Sequence, residues 1–395
     1  VNIMREVIIA GAVRTAIGKF GGTLTSVPVT ELGVVVAREA MRRAAVPAED
    51  VDEVIMGHVL QAGTGANTAR QVSLAAGIPI AVPAYTVNKV CASGMKAVTL
   101  AAASIASGEN DIVLAGGMEN MSAAPFLLPK ARWGYRLGEG EVLDCVLRDA
   151  LLDSCGNGHM GLTAENLANE FKISRAEQDA FAAESQKKAA RAQFAAEIVP
   201  VQIPQKGKAP IFFNADEFVR PDTTVEALSK LKPAFDEHGT VTAGNSSGIN
   251  DGAAAMLLLS AEEAKRRGVK PMARILSYAS AGIEPGRMGL GPVPATKAAL
   301  AKAKLKLADI DVIELNEAFA AQSLAVINQL GLDPARVNLN GGAIALGHPV
   351  GASGARIIVT LLHIMSERGL RFGLATLCVG GGQGMAVILE RISSF

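Results

Sequence analysis

The sequence predicts an α/β protein made of two duplicated halves with a further segment inserted between them. Short β-branched runs, among them Val54-Ile55, Ile112-Val113-Leu114 and Val312-Ile313, alternate with longer stretches of helical period, the pattern of buried strands between helices. The chain also repeats itself. Cys91-Ala92-Ser93-Gly94-Met95-Lys96 opens one apolar helical stretch, and Gly351-Ala352-Ser353-Gly354-Ala355-Arg356 opens another 260 positions later. An Asp and a Val-Ile strand precede each (Asp52 to Ile55; Asp309 to Ile313), and a strand ending in glycines follows each (Gly116-Gly117; Gly380-Gly381-Gly382). Three matches in one order at nearly constant offset mark a repeated unit.

Between the repeats, residues 121–250 change character. Trp133 and Tyr135 lie among glycines and prolines, and a polar helix starts at Ser174, where Ser174 and Glu177 have capping-box spacing; an Ala-rich run extends it to about Ala196, before Pro200. Val199 to Pro233 mixes proline with short apolar pairs, which predicts extended strands and loops without a second hydrophobic core.

The size agrees with this division, since 395 residues at roughly 150 per domain give about two to three domains. Hydrophobic residues make up 49% and charged residues 19%, and no apolar run approaches the roughly 18 residues of a membrane span, so neither disorder nor membrane insertion is expected. Lys plus Arg and Asp plus Glu are 38 each, leaving no broad field to hold nucleic acid or an anionic membrane. Cys91, Cys145, Cys155 and Cys378 form no Cys-x-x-Cys pair, which argues against a disulfide framework or a zinc ribbon and for a reducing compartment. The apolar stretch Val7–Ala10 is too short for a signal peptide, and Ser393-Ser394-Phe395 is no peroxisomal address, so the cytoplasm is expected.

Four segments carry side chains capable of chemistry. Cys91 follows the strand Tyr85-Thr86-Val87 and precedes a helix start, where free N–H groups and the helix dipole favour a nucleophilic thiolate at neutral pH; a Cys packed as a small hydrophobe fits the same spacing. His348 lies in Asn340-Gly341-Gly342-Ala343-Ile344-Ala345-Leu346-Gly347-His348-Pro349, where a polar ring needs a specific partner and glycines admit a substrate to the backbone; a satisfied core histidine is the alternative. Cys378 ends the strand Leu374–Leu377, and the following Val379-Gly380-Gly381-Gly382-Gln383-Gly384 offers free N–H groups to a phosphate or an oxyanion. None of the glycine-rich sites has a Gly-x-Gly-x-x-Gly dinucleotide fingerprint. Asn316, in Asn316-Glu317-Ala318-Phe319 after the strand Val312–Leu315, suits a helix N-cap as well as a site residue.

With Thr242-Ala243-Gly244-Asn245-Ser246-Ser247-Gly248, these blocks resemble the thiolases along nearly the whole chain, and especially their short-loop bacterial acetyl-CoA acetyltransferases. The resemblance implies two α/β halves with mixed five-stranded sheets in an αβαβα arrangement. The N-terminal half would take residues 1–120 with 251–272, the C-terminal half 273–395, and a loop domain of residues 121–250 would cover coenzyme A. It also implies that Cys91 takes the acyl group while His348 takes its proton, that Cys378 removes an α-proton, and that the enolate oxygen is held by His348 and by a water on Asn316. The backbone N–H groups of Cys91 and Gly380 would form the oxyanion hole.

His159, Met160, Arg220, Ser247, Phe319 and Met288 resemble substrate contacts, with Met160 and Met288 closing the acyl pocket to long chains. Acyl-CoA substrates, no metal or other cofactor, a homotetramer of paired dimers and a place in fatty acid metabolism follow from the same resemblance. Cys145 and Cys155 match no catalytic position and are expected to pack as small hydrophobes, and Gly63-Thr64-Gly65-Ala66-Asn67 stays unassigned. The rival activities are a broader-chain 3-ketoacyl-CoA thiolase, a decarboxylating ketoacyl synthase, which would need His or Asn at Cys378, and a silent lipid carrier, which would not need Cys91, His348 and Cys378 together.

Overall fold

Every residue of Val7–Thr15 is buried, and its side chains divide by period two: Ile8 and Ala10 enter one hydrophobic core, Val7 and Ile9 another. This strand, β1 (Val7–Thr15), thus lies between two packed layers. The computed structural model describes residues 4–392 and 394, so Ser393 and Phe395 of the C-terminal tripeptide weighed above lie outside it. The first half continues as α1 (Val29–Ala44), β2 (Glu53–Gly57), α2 (Thr68–Ala76), β3 (Ala84–Val87), α3 (Ser93–Ser107) and β4 (Ile112–Asn120). After α4 (Met160–Phe171), α5 (Arg175–Arg191) and a hairpin of β5 (Val201–Gln205) and β6 (Lys208–Phe213), the chain returns as β7 (Asn250–Ser260). The second half is β8 (Ala273–Gly282), α6 (Pro292–Ala303), β9 (Val312–Leu315), α7 (Ala320–Leu330), α8 (Val350–Arg368), β10 (Phe372–Val379) and β11 (Gln383–Arg391).

The strand orders match half for half. The first sheet runs β3-β2-β4-β7-β1 and the second β9-β10-β11-β8, with β2, β3 and β4 parallel, β9 and β10 parallel, and the remaining neighbours antiparallel. The expected fifth strand of the second sheet is reduced to one parallel bridge, Ile313 with Val337, at the place of β3. The two sheets also join at their edges, through Ile8 with Arg274 and Ile9 with Ala273. Helices α3 and α8 lie between the sheets, where Met95, Val98, Ile357 and Leu361 share a core with strand residues of both halves. Residues of α1 and α2 cover the other face of the first sheet, and those of α6 and α7 the other face of the second, which makes five layers.

The repeated Ala-Ser-Gly has a physical cause in the crossing of α3 and α8. A Cβ on Gly94 would stand 2.8 Å from the Ala355 nitrogen, and one on Gly354 would stand 2.5 Å from the Met95 nitrogen, so backbone packs on backbone at both first turns. The crossing brings Cys91 and His348, each just ahead of its helix, to one place.

Helix α3 also corrects an expectation. Val90–Ser107 has the length and mean hydropathy, 1.4, of a membrane span, but α3 is a core helix whose Met95, Val98 and Ile105 are buried and which packs on the first sheet and on α8. The helix at Ser174 has its capping box, yet it ends at Arg191, short of Ala196. There the chain turns extended to lay Phe194 over the buried Arg14 guanidinium, 4.9 Å away, and to bring Glu197 to its Nε. Asp216 takes the other guanidinium nitrogens at 2.7 and 2.9 Å, tying the inserted segment to β1. The β5–β6 hairpin places Val201, Ile203 and Phe213 in the core of the first half, and a short helix, Val225–Ser229, follows where only strands and loops were expected.

Candidate active site

The turn after β3 is sharp because Val90 has φ 48, a left-handed conformation costly for a β-branched residue. It sets the half-buried Cys91 just ahead of α3, whose N-cap is Ala92. The Cys91 sulfur meets the N–H groups of Gly380 and of Cys91 itself, but burial outweighs them and, with the Glu119 carboxylate, pushes the thiol up to about 11. The thiolate expected from the helix start is therefore a thiol at rest. Glu119 is itself buried, accepting from the amides of Val59 and Leu60 at 3.1 Å each and of Gly351 at 2.9 Å.

Cys378 is the penultimate residue of β10 and is buried; burial first, then the neighbouring Cys91, holds its thiol well above the usual range. Gly380 opens the hairpin turn to β11, in which Gly381 and Gly382 have φ 80 and 82. His348 is fixed from two sides. Its amide donates to Asn250 Oδ1 at 2.9 Å, and its Nδ1 faces Ser353 Oγ, which donates to the Pro349 carbonyl at 3.0 Å. Burial, then the Arg356 charge, pushes the ring down to about 3, so it is neutral.

Asn316 is not the N-cap that its position suggested, since α7 starts at Ala320 with Phe319 at the cap. Its amide donates to the Thr376 carbonyl at 3.0 Å, and its side chain is buried with neither polar atom bonded among the described residues. It does not line the cavity that holds the two cysteines.

That cavity, of about 350 Å³, is lined by Cys91, His348, Cys378 and Gly380, residues from both halves. The inserted segment supplies His159, Met160, Arg220 and Ser247 to its wall, and the second half adds Met288 and Phe319. His159 Nδ1 accepts from the Gly161 amide at 3.0 Å, and its ring stacks on Phe235 at 4.5 Å. Phe235 meets Phe319 edge to face at 6.0 Å; it lines the cavity and was missed, because nothing in its local sequence separates it from any other phenylalanine. Ser247 donates its amide to the Ala318 carbonyl at 3.0 Å. Arg220 is exposed, with its guanidinium 5.4 Å from the Phe218 ring. Asn250 and Ser353, which hold His348, were also missed.

Cys145 is buried with its sulfur toward Asp149 at 3.2 Å, whereas Cys155 is exposed and packs in no core. Gly63 and Thr64 line a separate cavity with His58 and Asn120.

Two family descriptions match the chain: thiolase, N-terminal domain, over residues 7–262, and thiolase, C-terminal domain, over residues 269–391. The acetyl-CoA acetyltransferase of Cupriavidus necator is 56% identical over 392 residues, covering 98% of this chain and 100% of that protein. The acetyl-CoA acetyltransferase of Escherichia coli is 56% identical over 395 residues, with 99% and 100% covered. The crystal structure of the Bacillus anthracis acetyl-CoA acetyltransferase superposes with a TM-score of 0.97 at 47% identity, covering 99% of this chain and 100% of that one.

Proposed function

The chain belongs to the thiolase family, and on that footing we propose that it is an acetyl-CoA C-acetyltransferase, joining two acetyl-CoA into acetoacetyl-CoA and CoA through an acetyl-Cys91 intermediate, or running the same steps backwards as thiolysis. The observation that carries the mechanism is the meeting of Cys91, His348, Cys378 and Gly380 around one cavity.

With both thiols and the imidazole neutral at rest, each proton must pass between named groups. Cys91 gives its proton to His348 Nε2, because Nδ1 is occupied by Ser353, and its sulfur bonds to the thioester carbonyl carbon. The oxyanion so formed faces the N–H groups of Cys91 and Gly380. The carbon–sulfur bond to CoA then breaks, Cys378 protonates the leaving thiolate, and Cys378 is left as a thiolate. A second acetyl-CoA loses an α-proton to Cys378, and its enolate oxygen is held by the His348 Nε2–H and by a water on Asn316, whose buried side-chain carboxamide has no protein partner among the described residues. The enolate carbon attacks acetyl-Cys91, and the Cys91 sulfur leaves, recovering its proton from His348. Every proton is returned, and the chemistry calls for no metal or redox cofactor. In this reading residues 121–250 cover the CoA, with His159, Ser247 and Arg220 along its length, and Met160, Met288 and Phe319 bound the acetyl end.

The reaction links two- and four-carbon acyl-CoA, as fatty acid metabolism requires, and its two free thiols suit the reducing cytoplasm. A homotetramer is supported by the concentration of exposed apolar side chains between Phe126 and Val142, including Leu128, Trp133 and Leu137, and by β3 at the open edge of its sheet. Sedimentation at micromolar concentration should give a tetramer; a stable active monomer overturns that assembly. For the reaction, stoichiometric acetyl-CoA should release a burst of free CoA and leave an acetylated Cys91 in the intact mass. A carrier releases none.

A further inference from the structure

The two donors of the oxyanion hole lie on different halves of the molecule. The Cys91 N–H follows the turn after β3, and the Gly380 N–H starts the turn between β10 and β11, so the fold must hold two loops in register across an interface. Besides the Gly380 N–H that meets the Cys91 sulfur, one hydrogen bond among the described residues joins residues 88–92 to residues 379–383: the Lys89 ammonium donates to Gln383 Oε1 at 2.6 Å. Beside it the loops approach closely enough that a Cβ added to Gly380 would lie 3.4 Å from Val90 Cγ1. The Cys91 loop is braced internally by Ser93 Oγ, which accepts from the Lys89 amide at 2.8 Å and donates to the Val90 carbonyl at 2.6 Å. That brace shapes the turn but does not set its distance from Gly380. With Val90 in the left-handed region, the turn also carries strain that relaxes if its outer support is removed.

Resting on the acyl-enzyme reading above, we infer that Lys89 and Gln383 are positioning residues, a strut that fixes the separation of the Cys91 and Gly380 N–H groups and so the fit of the oxyanion hole to the tetrahedral intermediate. Neither touches the reacting atoms. Both are half-buried, which shields the bond from competing water. Lys89 is two residues from one donor and Gln383 three from the other, so a shift at the strut passes to both within one turn of chain. Loss of the strut disturbs the transition state more than substrate binding, because the hole is filled only when charge reaches the carbonyl oxygen.

The test uses the full-length protein with Lys89→Met, Gln383→Leu and the double variant, in single-turnover acetylation by acetyl-CoA read by intact mass at several concentrations. Each single variant should lower the limiting rate about tenfold, as expected for a hole displaced by a fraction of an ångström, with the half-saturating acetyl-CoA concentration unchanged. The double variant should be no slower than either single one, because the strut is already lost. Wild-type rates in the single variants, a loss confined to half-saturation, or independent losses that multiply in the double variant would each overturn the strut. Absence of acetyl-Cys91 in the unmodified protein would instead overturn the acyl-enzyme reading on which it rests.

Discussion

The hydroxyl of Ser353 fixes the tautomer of His348. Ser353 Oγ lies 3.0 Å from the Pro349 carbonyl and also against Nδ1; with its single hydrogen it satisfies both contacts only by donating to the carbonyl and accepting from an Nδ1–H. Nε2 is then left as the base. Replacing Ser353 by Ala strands the buried Nδ1–H and removes this preference, which costs about 1–3 kcal/mol. We expect kcat to fall about tenfold or more with KM little changed; an unaltered kcat would show that another group sets the tautomer.

The two sulfurs should separate the half-reactions. Cys91→Ala should abolish acetylation of the protein, whereas Cys378→Ala should still accept acetyl on Cys91, more slowly because the leaving CoA thiolate loses its acid, but fail to exchange the methyl protons of a second acetyl-CoA with deuterium. His348→Ala should impair both, each by on the order of 3–4 kcal/mol if its loss resembles that of an oxyanion donor. Normal methyl exchange in Cys378→Ala would mean that the base is another residue.

Burial of Cys91 gives a pH signature opposite to that of a helix-activated thiolate. With the thiol pushed up to about 11, inactivation by iodoacetamide without substrate should keep rising through pH 9. A plateau by pH 8 would reveal a resting thiolate.

His348 governs stability at the acid end. Its ring is held neutral, pushed down to about 3 from 6.5, so its contribution is complete above pH 6.5 and is lost as pH falls toward 3. Below 6.5 the unfolded chain takes up a proton that the folded one refuses. His348→Asn should therefore flatten the decline of Tm with acidity across that window, and an identical decline in the variant would contradict this.

Met288 is buried on the cavity wall and should limit chain length. One added methylene changes discrimination by about 1–3 kcal/mol, so Met288→Ala should improve kcat/KM for a six-carbon 3-ketoacyl-CoA relative to acetoacetyl-CoA by about tenfold. Comparing the two thiolysis rates in both proteins decides it.

The elements legible in the sequence were those whose signal is local. Strand β9 falls on Val312–Leu315 as read, and the repeated Ala-Ser-Gly located both central helices, because a backbone crossing demands small residues at fixed offsets. Cys91, His348 and Cys378 stand in glycine-rich strings that turn the chain sharply. What escaped depends on partners distant in sequence. Asn250 meets His348 across 98 positions, and Phe235 reaches the wall from a segment without periodicity. The end of α5 was misplaced because the pull of Arg14 on Glu197, 183 positions away, overrides helix propensity. The acidity of Cys91 was misjudged for a related reason: the helix start is visible in sequence, but the depth of burial is not.

The contact of Gly94 with Ala355 and of Gly354 with Met95 also bears on how a doubled chain came to divide its labour. A duplication fused in tandem begins with two equal copies and, in most architectures, with two equal pockets. Here the copies cross where each would have had its own, so the twin helix starts open onto a single chamber astride their shared axis. Equivalence is then redundant, and the copies diverge: one presents a sulfur, and the other an imidazole. On the proposed mechanism neither half holds a complete catalyst, and separating them at the linker between β7 and β8 should yield two inactive fragments rather than two weak enzymes.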